Sequence, residues 1–523
     1  MPKPVHLVWF KRDLRVDDHG PLHHAAQAGP ILPLYIVEPG YWELPDTSRR
    51  HWDFIRASLL ELDQALSDLG RSLVVREGSA VEVLQQLLDE IPVAAVYSHQ
   101  ETGNRWTYDR DRAVARLLRD RGVPWREYRQ HGVVRGLRNR DGWASQWEDL
   151  MRERPFGAPG ALAAGPAVAG GVDRLPQAPA GVAADAAIDL QSPGLQAGRR
   201  VVREFLRERA EHYAGGISSP ARAWTASSRL SPHLAYGTVS LRRVLQASRE
   251  RQREVGAPRG LDRRQAAWKR SLRQFEERLH WHCHFMQKLE DAPDIEFQNL
   301  HRACDGLRED AFDEHRFRAW QDGLTGYPLV DACMRALRDH GWINFRMRAM
   351  VVAFASYHLW LHWRRPAQHL ARMFTDYEPG IHYSQMQMQS GTTGINALRI
   401  YNPVKQSLDQ DPDGVFIRQW VPELARVPGD WIHQPWKMTE GLQRESGCRI
   451  GHDYPLPVVD HEHAARLARE RFKSVRGTGA SRQETAGIHQ RHGSRRRPSA
   501  RTPGRTRQAR TRDQMDLFPD PDP

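Results

Sequence analysis

The chain has 523 residues, 40% of them hydrophobic, and a net charge of +12, which allows two or three domains with real cores. The charge is uneven: residues 471–523 hold +8 of it, so overall basicity argues for nucleic-acid binding mainly through this tail. No window approaches about 18 uninterrupted apolar residues, which excludes a membrane-spanning helix. Cys283, Cys304, Cys333 and Cys448 lack C-x-x-C spacing, which argues against a zinc or disulfide framework. Reduced thiols in a cytoplasmic, monomeric protein are expected, with an iron–sulfur cluster the lesser alternative.

The chain opens on MPKPVHLVWFKRDLR, a short apolar run followed at once by charges, which reads as a first strand rather than a signal peptide. Apolar runs recur at 31–37, 72–76 and 94–98, separated by helical spacing such as SRRHWDFIRASLLELDQALSDLG. Strands alternating with helices predict a parallel α/β sheet over residues 1–132. Ligands of such sheets sit at the carboxyl ends of the strands, where FKRDLRVDD falls. Residues 133–198 are expected to connect two domains, the Ala-, Gly- and Pro-rich 156–198 running over a surface. From 199 to 465 long amphipathic segments such as RQFEERLHWHCHFMQKLE predict an all-α domain. Residues 466–523 are expected to be a disordered, arginine-rich tail.

Three segments carry chemistry. TASSRLSPHLAYGTVS (225–240) clusters four hydroxyls before a helix start, a composition suited to a pyrophosphate. Arg346 and Arg348 lie in an otherwise apolar helix and require a carboxylate, for which Asp376 is the natural candidate. IHYSQMQMQSGTTGINALRIYNP (381–403) interleaves amides and thioethers and has no acidic side chain. It is too polar for a plain core helix and too apolar for a solvated loop.

VWFKRDLRVDDHGPL, SSRLSPHLAYGTVS, TGYPLVDACMRAL and IRQWVPELARVPGDWIHQPW together resemble the cryptochrome/photolyase family, over about residues 5–460. The resemblance implies an α/β antenna-type domain, a helical domain holding FAD, and blue-light electron-transfer chemistry on UV-damaged DNA, or cryptochrome-type photoreception. It implies that Tyr213 and Ser227, Ser228, Arg229, Leu230 and Ser231 hold the FAD phosphates. Arg346, Arg348, Asp376 and Glu378 would lie near the ring, and Trp281 on the substrate side. A second antenna chromophore (folate, deazaflavin or lumazine) would lie near SHQETGNRWTY, with Glu101 a candidate contact.

Several positions depart from the family pattern. Met386 stands where a tryptophan usually starts an electron-transfer chain, and Met388 where a second aromatic lines the dimer pocket. Trp363 keeps the middle tryptophan, the outer one is missing around Asp310, and His382 takes the position facing flavin N5. The glutamate expected near the dimer falls at Arg278. Finally, QMDLF (514–518) resembles the peptide by which bacterial repair proteins hold the replication sliding clamp, with Gln514, Leu517 and Phe518 as contacts. The basic stretch before it would add sequence-independent attraction to DNA.

Overall fold

The computed structural model describes residues 3–493 apart from 186, 257–262 and 311. Its amino-terminal part is a five-stranded parallel sheet of β1 (Val5–Phe10), β2 (Ile31–Val37), β3 (Val74–Glu77), β4 (Val93–His99) and β5 (Trp125–Tyr128), in the order β3-β2-β1-β4-β5. The crossovers contain α1 (Gly20–Ala28), α2 (Arg49–Ser67), α3 (Ala80–Glu90) and α4 (Arg105–Asp120). Helices on both faces explain why β2, ILPLYIV, is buried at every position and reads as continuous rather than alternating. The apolar runs therefore located the first four strands, whereas β5 (WREY) had no such signal.

The carboxyl end of β1 is not an open ligand site. Its loop docks on the helical domain: Arg12 Nε donates to Ala235 O (3.0 Å), Arg15 Nη1 donates to Gly237 O (2.9 Å), and Asp18 pairs with Arg242. Asp13 is buried between His19 Nε2 (2.9 Å) and His99 Nδ1 (2.7 Å). Glu101, the candidate antenna contact, is engaged by Arg110 at 2.5 Å and lies 3.7 Å from Lys11.

The connection is more than a linker. A helix at Trp143–Arg152 buries Trp143, Trp147 and Met151 in one core with Phe205, Leu272 and Phe275 of the second domain. Beyond it, the chain buries Leu162 and Leu175 in the core of the sheet domain and then reaches the helical domain, where the Ile188 and Asp189 amides donate to Asp339 O (3.0 and 3.2 Å).

The second part is helical throughout its described residues. The helices that position the site are α5 (Arg263–Asp291), α6 (Pro328–His340), α7 (Phe345–Ala353) and α8 (Pro379–Ser390). The boundary expected at 465/466 falls inside a helix, α9 (His461–Arg476), which is followed by α10 (Gly479–His492). The scarcity of large apolar groups after 470 misled: Phe472 alone is fully buried against Tyr357, and Ile488 is buried in α10. The rest of α10 is anchored by polar contacts, with Glu484 accepting from the Arg302 (2.6 Å) and Ala303 (3.2 Å) amides. Residues 494–523, including Gln514, Leu517 and Phe518, lie outside the described residues.

The cysteines are buried free thiols in three separate cores. Cys333 and Cys448 share one, Cys283 sits with Trp147, and Cys304 with Phe472. They do not converge on a cluster site, and burial pushes the Cys283 and Cys304 thiols up to about 11.

Candidate functional site

Helix α8 holds nearly all its side chains buried. Gln387 is spent on structure: its Nε2 donates to Ile295 O (2.8 Å) and Gln298 O (2.6 Å), and its Oε1 accepts from the Leu300 amide (2.7 Å). His382, Gln385, Met386 and Gln389, spaced at helical intervals, instead line a cavity of about 1580 Å³ counted to its open mouth. The helix ends at Gly391, φ +79°, where a Cβ would meet the Tyr357 hydroxyl at 2.5 Å, so only glycine fits this left-handed stop.

The same cavity is lined by Tyr213 and Ser227 to Ser231, by Trp281, and by Arg346, Arg348, Asp376 and Glu378. Residues from five chain segments thus meet at one site. Two of the expected residues do not line it. Trp363 is fully buried in the main helical core, its Nε1 donating to Asn299 Oδ1 (2.8 Å). Met388 packs in a small cluster with Phe285, beside Trp281, Phe345 and Ile381.

Arg348 and Asp376 form a bidentate pair, Nη1–Oδ1 3.0 Å and Nη2–Oδ2 2.8 Å. Nε of Arg348 donates to Ile343 O (2.9 Å) and its guanidinium lies 4.0 Å from the Phe374 ring centre. The carboxylate is fixed in place with oxygen lone pairs to spare. Arg229 adopts φ +58° and lies 4.1 Å from the Trp342 ring centre and 4.6 Å from that of Trp224. Burial lowers its guanidinium to about 10, so it stays cationic at neutral pH. The helix after the serines, Ser231–Ala235, has only five residues. An anion here would meet hydroxyls and Arg229 rather than a helix dipole.

Burial brings His382 down to about 4. It is a neutral imidazole whose Nε2 lies 2.8 Å from Ala367 O and donates to it, leaving Nδ1 as an acceptor. Burial also pushes the Glu378 carboxyl up to about 7, although Arg12 lies 3.7 Å away. Arg12, from the first domain, does not line the cavity but neighbours its Glu378, a contact the sequence reading missed.

A pH prediction follows from Glu378. Its folded value lies above its ordinary one, so it favours folding while protonated, and that contribution is lost as pH rises from about 4.5 through about 7. Glu378→Gln has no such proton to lose. Its stability relative to the unmutated chain is expected to rise by up to about 3 kcal/mol between pH 4.5 and 7.5. Denaturant unfolding of both proteins at the two pH values measures this, and a pH-independent difference would contradict it.

Gln389 has neither amide atom partnered, and Gln385 Nε2 and Arg229 Nη1 are likewise buried without partners. Buried polar groups of this kind call for a ligand with many donors and acceptors. The cradle, the bidentate carboxylate and the two amides fit FAD.

A sequence model described as DNA photolyase matches residues 6–139, and one described as the FAD binding domain of DNA photolyase matches residues 275–474. The chain is 32% identical over 495 residues to the Streptomyces griseus protein named deoxyribodipyrimidine photo-lyase, covering 90% of this chain and 99% of that one. The protein belongs to the cryptochrome/photolyase family. Its helical part is the family's FAD-binding domain. Cryptochrome-2 of Arabidopsis thaliana is 29% identical over 514 residues, which cover 90% of this chain and 79% of that protein. The crystal structure of a class III photolyase from Agrobacterium tumefaciens superposes with a TM-score of 0.78 at 25% identity, covering 91% of this chain and 99% of that one. No described helix is long and apolar enough to cross a membrane.

Proposed function

We propose that this family member is a DNA photolyase, splitting UV-induced pyrimidine photoproducts with an electron delivered under blue light. The observation that carries this reading is the single cavity joining the serine cradle, the Arg348–Asp376 pair and the Trp281 wall. Bound FAD would supply the photoexcitable electron donor. Tyr213, the serines and Arg229 would bind its phosphates, and Asp376 would accept hydrogen bonds from its ring. Neutral His382 would offer an acceptor without adding charge. Trp281, stacked on Phe285 at 5.3 Å between ring centres, gives a flipped base an aromatic face, and a damaged base costs least to unstack. Near-complete coverage of the Streptomyces photolyase supports repair.

The second reading is a cryptochrome-type photoreceptor. It is favoured by Met386 and Met388, which replace aromatic surfaces with flexible thioethers. The discriminating experiment supplies the reduced holoprotein with UV-irradiated oligothymidylate. Repair under blue light and none in the dark is expected. Flavin photochemistry without loss of dimers would favour photoreception.

We further propose that the carboxy-terminal QMDLF delivers the protein to DNA through a replication sliding clamp. Immobilised bacterial clamp is expected to retain the full chain and to lose a Leu517→Ala, Phe518→Ala double variant. Equal retention of both would end this idea.

A further inference from the structure

A group of buried basic side chains outside the flavin cavity has no role in the chemistry above. On α5, His284, Lys288 and Asp291 follow at i, i+4 and i+7 and so share one face. Arg140 approaches from the connecting segment, with Asp291 Oδ2 3.2 Å from its Nε. The end of α10 closes over them: Arg491 Nη2 donates to Asp291 O (2.8 Å), and His492 is the last residue of that helix. Arg140, Lys288, His284 and His492 are only 2–5% exposed.

Their nitrogens are poorly satisfied. Apart from the Asp291 carboxylate at Nε, the guanidinium nitrogens of Arg140 have no hydrogen-bond partner, and His492 Nδ1 has none either. The Lys288 ammonium makes no hydrogen bond or ion pair among the described residues and lies 5.1 Å from the Phe285 ring centre. Asp291 Oδ1 accepts from Gln287 Nε2 at 2.9 Å. One carboxylate, Asp291, therefore stands against buried Arg140, and the other basic groups beside it are Lys288 and two histidines that burial keeps neutral. Burial lowers Lys288 to about 7 and Arg140 to about 10, so Arg140 at least remains charged. A buried cation without a full complement of acceptors is costly. A tetrahedral oxyanion offers several acceptors to donors that converge from three chain segments, and matches the fork of a guanidinium.

We propose that Arg140, Lys288 and His492 form a phosphate-binding site that fastens α10 onto α5. The site lies along α5 from Trp281 and Phe285, one and two turns from the wall of the flavin cavity, so its occupancy sets how firmly α10 covers that flank. Burial under α10 favours inorganic phosphate or a phosphomonoester over the phosphodiester of a DNA strand, which would reach the site only with α10 displaced.

The test uses the full-length FAD-loaded protein, so that the flavin's own phosphate cradle is filled. Thermal unfolding is followed while inorganic phosphate replaces chloride at constant ionic strength. A saturable rise in Tm is expected, together with slower amide exchange in α10. Lys288→Met removes one donor and its buried charge, leaving the arginine-rich tail intact. This variant is expected to be at least as stable as the unmutated chain in chloride and to lose the phosphate response by tenfold or more in affinity. Arg140→Gln should lose it as well. A short DNA duplex that reproduces the shift and the exchange protection, at equal phosphate, would identify DNA as the source; failure to do so would identify a small phosphate. The proposal is overturned if the unmutated chain shows no saturable shift, or if Lys288→Met responds as the unmutated chain does.

Discussion

Asp376→Ala is expected to yield a protein that purifies without FAD. The carboxylate is 3% exposed at its side chain and holds both terminal nitrogens of Arg348, itself 24% exposed. Its loss leaves Arg348 with the Ile343 carbonyl and the Phe374 ring, a cation in an apolar wall without its counter-charge. Breaking such a pair costs roughly 3 kcal/mol, the lower end of the buried range because Arg348 retains some water. If Asp376 accepts from the flavin as proposed, the flavin loses that acceptor at the same time. Together these lower FAD affinity by about 100-fold or more. Asp376→Asn separates the two effects: it keeps an acceptor oxygen but not the charge, and an intermediate occupancy is expected. Flavin absorbance per protein reports both variants directly. A fully loaded, yellow Asp376→Ala protein would remove this pair from the flavin site.

The strands, the helical second half and the converging segments of the cavity were legible because each has a local signature. ILPLYIV is continuous because both faces are covered, and Arg348 in an apolar helix announced a carboxylate that the structure supplies 2.8 Å away. The polarity of α8 also declared itself, since Gln385 and Gln389 point into a cavity rather than a core. What stayed hidden depends on contacts between distant segments. Arg12 reads as part of a charged loop until the domains dock and place it beside Glu378. Trp363 and Met388 belong to packing clusters rather than to the cavity lining, a distinction that sequence spacing cannot make. Helix α10 was missed because polar caps and one buried isoleucine, rather than an apolar stripe, hold it down.

Met386→Trp tests whether the electron path to the flavin is broken where the sequence breaks the family pattern. Met386 is 4% exposed, lines the cavity, and shares the core of Trp363. Its side chain, at the position where the family's tryptophan chain usually starts, cannot pass a single electron reversibly. In the unmutated protein, photoreduction with an external reductant is therefore expected to be slow, with no prompt tryptophan radical. The single substitution connects the cavity to Trp363 but no further. Trp363 is fully buried, and residue 310, where an outer tryptophan is missing, is an exposed aspartate. Trp360 is a poor substitute terminus: the guanidiniums of Arg308 and Arg471 lie 4.6 and 4.5 Å from its ring centre and oppose a positive charge there. Met386→Trp should then give a radical that forms quickly and recombines, with little gain in lasting reduction. Adding Asp310→Trp should raise the steady photoreduction rate by about tenfold or more. The larger side chain costs about 1–3 kcal/mol of overpacking, so Tm is measured alongside transient absorption to separate lost fold from lost transfer. If the single variant already matches the double one, the path leaves Trp363 by another donor. A prompt tryptophan radical in the unmutated protein would show that Met386 does not interrupt it.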